Sequence, residues 1–331
     1  MNRVSLWPGL LLVLLGGTAL AVGGLAPAPG PAADHAATAQ PAYVSHYLVF
    51  GTRDASGTPR MLALDFNRTE HDDGRVAYEY KLFVGRGADW SMPVYETWTT
   101  APDAEVPHFP ARGGLDPTLT DDGILQVTAD LPDLALEVRP EPSAFPFPKD
   151  DENGTNRTGH PEFVVRWNGE TYRGAGVYER IRPGGAATSP EAAAERERKL
   201  DAGASFGLYD WIVLYDDEGR LWHVSQGTLT ADFAYQQATG ALPGQTRDVL
   251  VRWTATAYDK RAQQHRPTAW LVDVPAWRMR VRLQRQGEHR GHGSPRDDGT
   301  RPVYVQAGVE GRGLLQGEAH QFFGMVELIR D

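Results

Sequence analysis

The stretch that most constrains the fold is 207–222, GLYDWIVLYDDEGRLW. Trp211, Val213 and Tyr215 fall on one side of an extended chain at period two, and Ile212 and Leu214 fall on the other. Asp216, Asp217, Glu218 and Gly219 then supply turn residues, the last able to take positive φ. After the turn Leu221, His223 and Ser225 alternate with Trp222, Val224 and Gln226, so the stretch predicts a hairpin whose returning strand sets polar groups opposite its partner's aromatics. A face mixing Trp, Tyr, His and Ser suits the inside of a barrel that holds a ligand; a half-exposed sandwich strand fits the same periodicity.

The chain repeats this theme from end to end. Residues 43–51, 61–66 and 76–84 read as strands joined by turns at Asp54–Gly57 and His71–Gly74, an antiparallel meander. From 85 to 125 the pattern loosens around Trp90, Tyr95, Trp98, His108 and Phe109, aromatics that either roof a pocket or pack an edge. Strands resume at 124–129 and 134–138, and the prolines of 140–148 place a domain boundary there. Asn168-Gly169 is a type I′ signal for a hairpin of 163–167 with 171–182. One helix is expected, 189–200, with Ser189 as N-cap, Pro190 in the first turn and a charged face that marks a surface crossover or lid. Residues 249–258 and 277–284 alternate cleanly. In the second run Arg278, Arg280 and Arg282 share one face, which is either solvated or turned toward an anion. Residues 287–299 read as an exposed loop, and two closing strands fill 303–329.

A chain of 331 residues, 41% hydrophobic, suits two β domains, and the boundaries set them at 43–148 and 149–331. Its 33 basic against 43 acidic residues, with no long basic run, argue against a nucleic-acid partner. Residues 1–21 form a secretory signal pattern: Arg3 is the one charge, 10–15 is an apolar run, and Ala19-Leu20-Ala21 fits small-x-small cleavage. Cleavage after Ala21 implies a periplasmic or secreted protein near a membrane surface. The competing reading, an uncleaved anchor, is weakened by Gly16, Gly17, Gly23 and Gly24. Residues 22–42, rich in Ala and Pro, form a flexible linker.

No cofactor and no metal are expected. The chain has no Cys, and 150–159 carries Asp150, Glu152 and Gly154 without the distal Glu of a calcium loop. His289 and His292 lack a third ligand at a convincing spacing. No Gly-x-Ser-x-Gly elbow, His-Glu-x-x-His helix or P-loop occurs, and the glycines of 311–317 are not followed by a helical pattern.

Several segments resemble, in order, the lipocalin-like family of carotenoid 1,2-hydratases and secreted AttH-like proteins. Residues 45–69 resemble that family's opening hairpin, and GLYDWIVLYDDEGRLW its Gly-Trp-Asp-Trp-Phe segment and Asp-Asp-Gly turn. TAYDKRAQQHRPTAWLVDVP and AGVEGRGLLQGEAHQFFGMVEL resemble its Tyr-Pro…Trp-x-Leu-x-x-Pro and closing segments. The resemblance implies an all-β chain of two lipocalin-like antiparallel β-barrel domains, here with one short surface helix, and an apolar ligand between or within them. The family's Gly-x-Ala-Trp-x-Asp-His-Glu-Trp run aligns with Gly174 to Arg182, where Glu179 keeps the first acid while Arg180 and Ile181 replace the His and the second acid.

Two functions follow. The first is an exported protein binding an apolar, isoprenoid- or lipid-like small molecule, with Trp211, His223, Tyr209 and Tyr215 as ligand contacts and Asp210 near the cavity mouth. The second is a cofactor-free hydratase, cyclase or isomerase on such a ligand, with Glu179 as acid or base and Tyr178, Tyr209 or Asp210 orienting it. A third class, a ligand-free structural or interaction module with a filled barrel, fits the same composition.

Overall fold

The computed structural model describes residues 42–71, 73–102, 107–141, 156–181, 208–230, 233–240, 246, 248–259, 264–292 and 303–330. The signal pattern, most of the linker, the expected helix at 189–200 and the acidic residues of 150–155 lie outside them. Among the described residues the chain is almost entirely β, with one short 3₁₀ turn at Pro275–Trp277.

Ten strands make a first antiparallel sheet: β1 (Ala42–Arg53), β2 (Pro59–Glu70), β3 (Val76–Arg86), β4 (Asp89–Thr99), β5 (Leu115–Leu119), β6 (Leu125–Leu131), β7 (Leu134–Glu141), β8 (Asn156–Gly159), β9 (Glu162–Trp167) and β10 (Glu170–Ile181). Their order is β4-β3-β2-β1-β10-β9-β7-β6-β5, with β8 also paired to β10. Eight strands make the second: β11 (Leu208–Asp216), β12 (Leu221–Thr230), β13 (Phe233–Gly240), β14 (Leu250–Asp259), β15 (Gln264–Val274), β16 (Met279–His292), β17 (Val303–Leu315) and β18 (Glu318–Arg330), in the order β13-β12-β11-β18-β17-β16-β15-β14. The first sheet thus draws its strands from 42–181 and the second from 208–330, whereas the sequence boundary at 148/149 falls between β7 and β8, within the first sheet.

Both sheets curl into half-barrels, and alternation decides which side chain fills which space. Leu48, Phe50, Leu64, Phe66, Tyr80, Val138, Val165 and Tyr178 fill the concave side of the first. Ile212, Leu214, Trp222, Val272, Val281, Val309 and Val326 fill that of the second. The convex faces meet in a third apolar layer that takes Tyr47, Val49, Met61, Phe83 and Val177 from one sheet and Trp211, Val213, Tyr215, Leu221, Phe323 and Met325 from the other. The Trp-Tyr-His-Ser face of β11 and β12, read from the sequence as a barrel interior, is therefore a correction: it lies outside its own half-barrel, at the junction of the two.

The hairpins that open the sheets share one turn. Asp54 Oδ1 accepts from the Ser56 and Thr58 amides at 3.0 and 3.1 Å, and Asp216 Oδ1 from the Glu218 and Arg220 amides at 3.0 and 2.9 Å. Gly57 and Gly219 close these turns at φ of 80° and 76°. The Asn168-Gly169 turn has both central residues at positive φ, as type I′ requires.

Three further corrections concern segments read as loops. β4 crosses the aromatic region as a strand, and its Pro93 is tolerated because β4 is a sheet edge and Pro93 falls where the β3 pairing shifts register, between the Leu82–Val94 and Val84–Ser91 pairs. Its Trp98 stacks on Tyr78 at 4.8 Å, and Phe109 is buried in the first core, so these rings pack rather than roof a pocket. Residues 287–292, read as loop, continue β16 beyond a bulge at Arg285/Gly287 and pair with Val303–Gly308; the remainder, 293–299, lies outside the described residues. Likewise 156–159, read as part of a polar loop, is β8.

Where the β3–β4 turn reaches β16 and β17, only glycine fits. A Cβ on Gly287 would lie 1.9 Å from the Ala88 carbonyl oxygen, and one on Gly308 would lie 2.4 Å from Trp90 Nε1. Backbone cannot move aside as a side chain can, so Gly287→Ala is expected to cost about 1–3 kcal/mol in urea unfolding. Gly174→Ala, whose Cβ would sit 3.7 Å from the Phe50 ring, is the control and should change stability little.

Candidate functional site at the junction of the two half-barrels

Register lines up two rows of polar side chains that face each other across the junction. In the first sheet Glu179, Tyr47, Asp65 and Lys81 are successive cross-strand partners on β10, β1, β2 and β3. In the second, Ser225, Trp211, Glu327 and Gln306 are successive partners on β12, β11, β18 and β17. The rows are joined directly. Trp211 Nε1 donates to Glu179 Oε1 at 3.2 Å, and Gln306 Nε2 donates to the Tyr47 hydroxyl at 2.8 Å and to Glu327 Oε2 at 2.9 Å. The Tyr47 and Trp211 rings pack at 5.2 Å between centroids.

All of these side chains are buried, so each charge is held by partners rather than by water. Lys81 Nζ lies 3.1 Å from Asp65 Oδ2 and also binds Glu79. Burial opposes its ammonium, but the two carboxylates outweigh burial and hold Lys81 above the usual lysine range. Burial raises the Asp65 carboxyl, and Lys81 offsets part of that rise.

Beside this seam stands His223, two residues before Ser225 on β12, with its ring 4.6 Å from Trp211 and 5.9 Å from His160. It is 3% exposed, and neither ring nitrogen has a hydrogen-bond partner among the described residues. Burial, with His160 adding to it, pushes His223 well below the ordinary histidine range, and burial pushes His160 down to about 4. Both rings are neutral at pH 7. A neutral imidazole carries one donor and one acceptor, so His223 presents both to the junction.

Glu179, Trp211 and His223 are thus brought together, and Tyr215 lies further along the same face of β11, its ring over Gly51 and its hydroxyl pushed upward by burial. Tyr178 and Asp210 do not join them, because neighbours on a strand point to opposite faces. Tyr178 turns into the first half-barrel, where its hydroxyl bonds His46 Nδ1 at 2.6 Å and accepts the Leu125 amide at 2.8 Å. Asp210 turns into the second, where it accepts from Trp253 Nε1 at 3.0 Å and Trp270 Nε1 at 3.2 Å. Tyr209 lies on β11 with its side chain outside the described residues. Sequence reasoning missed Tyr47, Asp65, Lys81, Gln306 and Glu327. Their signal is a polar residue at an alternate position of an otherwise apolar strand, as in YEYKLFV, VYVQAGV and GMVELI.

The donor and acceptor of His223, left open beside the Trp211–Glu179 pair inside an apolar layer, can receive the polar end of a small molecule. Among the described residues no group of three or more His, Asp or Glu could hold a metal ion.

No protein-family model matches the chain, and no curated protein matches it in sequence. Among solved structures it is similar to a protein of Nitrosomonas europaea provisionally assigned as AttH, at 14% identity and a TM-score of 0.53 over 92% of this chain and 98% of that one. It also matches kievitone hydratase of Nectria haematococca (10% identity, TM-score 0.47, 88% and 89% covered) and CghA bound to Sch210972 (12%, 0.49, 87% and 88%). The first likeness establishes a lipocalin-like fold of the AttH type. At these identities the neighbours' activities do not transfer to this chain.

The histidines generate a pH prediction. In the unfolded chain they take protons near pH 6.5, while in the fold His160 does so only at about 4 and His223 well below 6.5, so the unfolded state binds more protons between these values. Their contribution to stability is full above 6.5 and falls as the pH drops toward 4. Urea midpoints should decline across that window, and His223→Leu should flatten part of the decline.

Proposed function

We propose that the chain is a lipocalin-like protein that binds an apolar, isoprenoid- or lipid-like small molecule at the junction of its half-barrels, with the ligand's polar end on Glu179, Trp211 and His223. The observation that carries this reading is His223, a buried imidazole whose two nitrogens have no hydrogen-bond partner among the described residues, beside the indole of Trp211 and its Glu179 carboxylate. Leaving a polar group buried and unbonded costs about 1–3 kcal/mol, a penalty that a ligand hydroxyl or carbonyl relieves. The apolar surface that such a ligand would itself withdraw from water, worth about 25 cal/mol per Å², supplies the remaining driving force. Membership in the carotenoid 1,2-hydratase and AttH-like family, and export directed by residues 1–21, belong to the same proposal.

Glu179 favours a second reading, a cofactor-free hydratase or isomerase. It points into the junction, away from Arg180 on the same strand, and meets Trp211 rather than bulk solvent. A carboxyl there can protonate an isolated alkene and, as carboxylate, take a proton back from the attacking water, so that the elements of water are added without a cofactor.

Native mass spectrometry of the protein from its own host, with extraction into organic solvent, is expected to show a co-purifying apolar molecule. Trp211→Phe, which removes the indole donor but keeps an aromatic ring, should lower its occupancy while circular dichroism stays unchanged. Glu179→Gln should abolish any turnover of that molecule and leave binding in place. Absence of any bound molecule, together with no uptake of fluorescent lipids, overturns the reading.

A further inference from the structure

A second site lies on the convex face of the second sheet, away from the junction seam. Alternation along β16 buries Val281 and Leu283 and leaves Arg282 and Gln284 exposed. Register sets Arg282 directly opposite Arg312 of β17, and Arg312 opposite Gln321 of β18. One step along the same face, Gln284 stands opposite Glu310. These residues, with Gln286, line an open cleft of about 440 Å³, within the roughly 300–1,000 Å³ of small-molecule sites.

The charge arrangement is unusual for an exposed sheet face. Like charges directly opposite on adjacent strands destabilise the pair. The neighbouring arginines are neutralised: Arg280 Nε is 3.2 Å from Asp273, and Arg285 Nη1 is 2.6 Å from Glu288. Among the described residues Arg282 and Arg312 have no such ion pair, and Glu310, which shares their cleft, bonds neither. Two guanidiniums against one carboxylate leave a local positive charge on a chain whose net charge is -10. Gly311 and Gly313 flank Arg312, and a Cβ at either would lie within 2.3 Å of a β16 carbonyl oxygen, so their absence of side chains lets the two strands, and hence the two arginines, approach closely.

We infer that this cleft binds a small hydroxyl-bearing molecule through an oxyanion group, a phosphate, sulfate or carboxylate, received by Arg282 and Arg312 together, with Gln284, Gln286 and Gln321 meeting its hydroxyls. Each guanidinium is a planar fork that matches an oxyanion in bidentate geometry, and an anion placed between the two removes their mutual repulsion. Glu310 opposes the anion and sets its affinity low. The same chemistry is offered by a soluble phosphate ester and by the headgroup of an anionic phospholipid.

Glycerol 3-phosphate is the soluble probe, followed by ³¹P line broadening and calorimetry on the full chain, with glycerol as the uncharged control. Binding is expected at a dissociation constant of about 1 mM. Arg282→Gln and Arg312→Gln should each weaken it by about tenfold, the order of one lost charge-assisted contact. Glu310→Gln should tighten it severalfold, a gain that misfolding cannot produce. Arg280→Gln, whose partner is Asp273, should leave it unchanged. Co-sedimentation with phosphatidylglycerol vesicles, but not phosphatidylcholine vesicles, that depends on Arg282 and Arg312 identifies a lipid headgroup; its absence, with glycerol 3-phosphate still bound, identifies a soluble ligand. The inference is overturned if glycerol 3-phosphate does not bind, or if Arg280→Gln weakens binding as much as Arg282→Gln. Neither result bears on the junction site, whose residues lie on other strands or further along β17 and β18.

Discussion

The structure depends on burying the convex faces of two half-barrels against each other. A curled sheet in water needs one apolar face; these sheets need two wherever they touch, and β1, β2, β11 and β18 are buried on both sides. That doubles the apolar demand on the central strands and leaves any polar residue among them without solvent. Glu179, Asp65, Glu79 and Glu327 are then tolerable only where donors meet them, and Trp211, Lys81 and Gln306 do so. The seam is a consequence of the packing mode before it is anything functional.

Register makes the seam possible, and the opening turns set the register. The Asp54 and Asp216 turns hold the β1–β2 and β11–β12 hairpins in step, so Tyr47 stands opposite Asp65 and Trp211 opposite Ser225. A slip of one residue in either hairpin would send the polar members into the concave cores and the aliphatic ones to the junction. The equivalence of the two turns, each with an Asp accepting two amides and a Gly at positive φ, shows one supersecondary unit used twice, its convex side serving as interface in both copies.

Much of this was legible in the sequence. Period-two alternation located the strands, and turn chemistry located Gly57, Asn168-Gly169 and Gly219. What alternation does not carry is which face is the interior, because both faces of β11 are apolar: Ile212 and Leu214 read as well as Trp211, Val213 and Tyr215. The candidate site inherited that ambiguity. Glu179 and Trp211 share the junction and touch, while Tyr178 and Asp210, adjacent to them in the chain, turn to the opposite faces of their strands, into the two half-barrels. Polarity misled at Gly287–His292, where charged residues continue a ladder paired with β17. The glycines that permit that approach are visible in the sequence, but the Ala88 carbonyl they accommodate is distant in the chain and has no local signal.

Buried polar groups in such a layer divide by whether the fold completes them. Gln306 donates to both Tyr47 and Glu327, and Trp211 donates to Glu179; replacing such bonded groups by apolar residues of similar size is often neutral or stabilising, so their presence argues for fixing the pairing of the two sheets rather than for raw stability. His223 is different in kind. It sits in the same layer, equally enclosed, yet among the described residues neither of its ring nitrogens has a hydrogen-bond partner. A requirement of folding alone would have been met more cheaply by a leucine at that position, since the neighbouring Leu221 already fills the same face without a polar atom. In the proposed reading, the hydrogen-bonding capacity left open at His223 beside Trp211 distinguishes a site from a seam, and it would set a ligand's polar end at the β10–β11–β12 side of the junction rather than at the Lys81 side, where Lys81 already engages both Asp65 and Glu79.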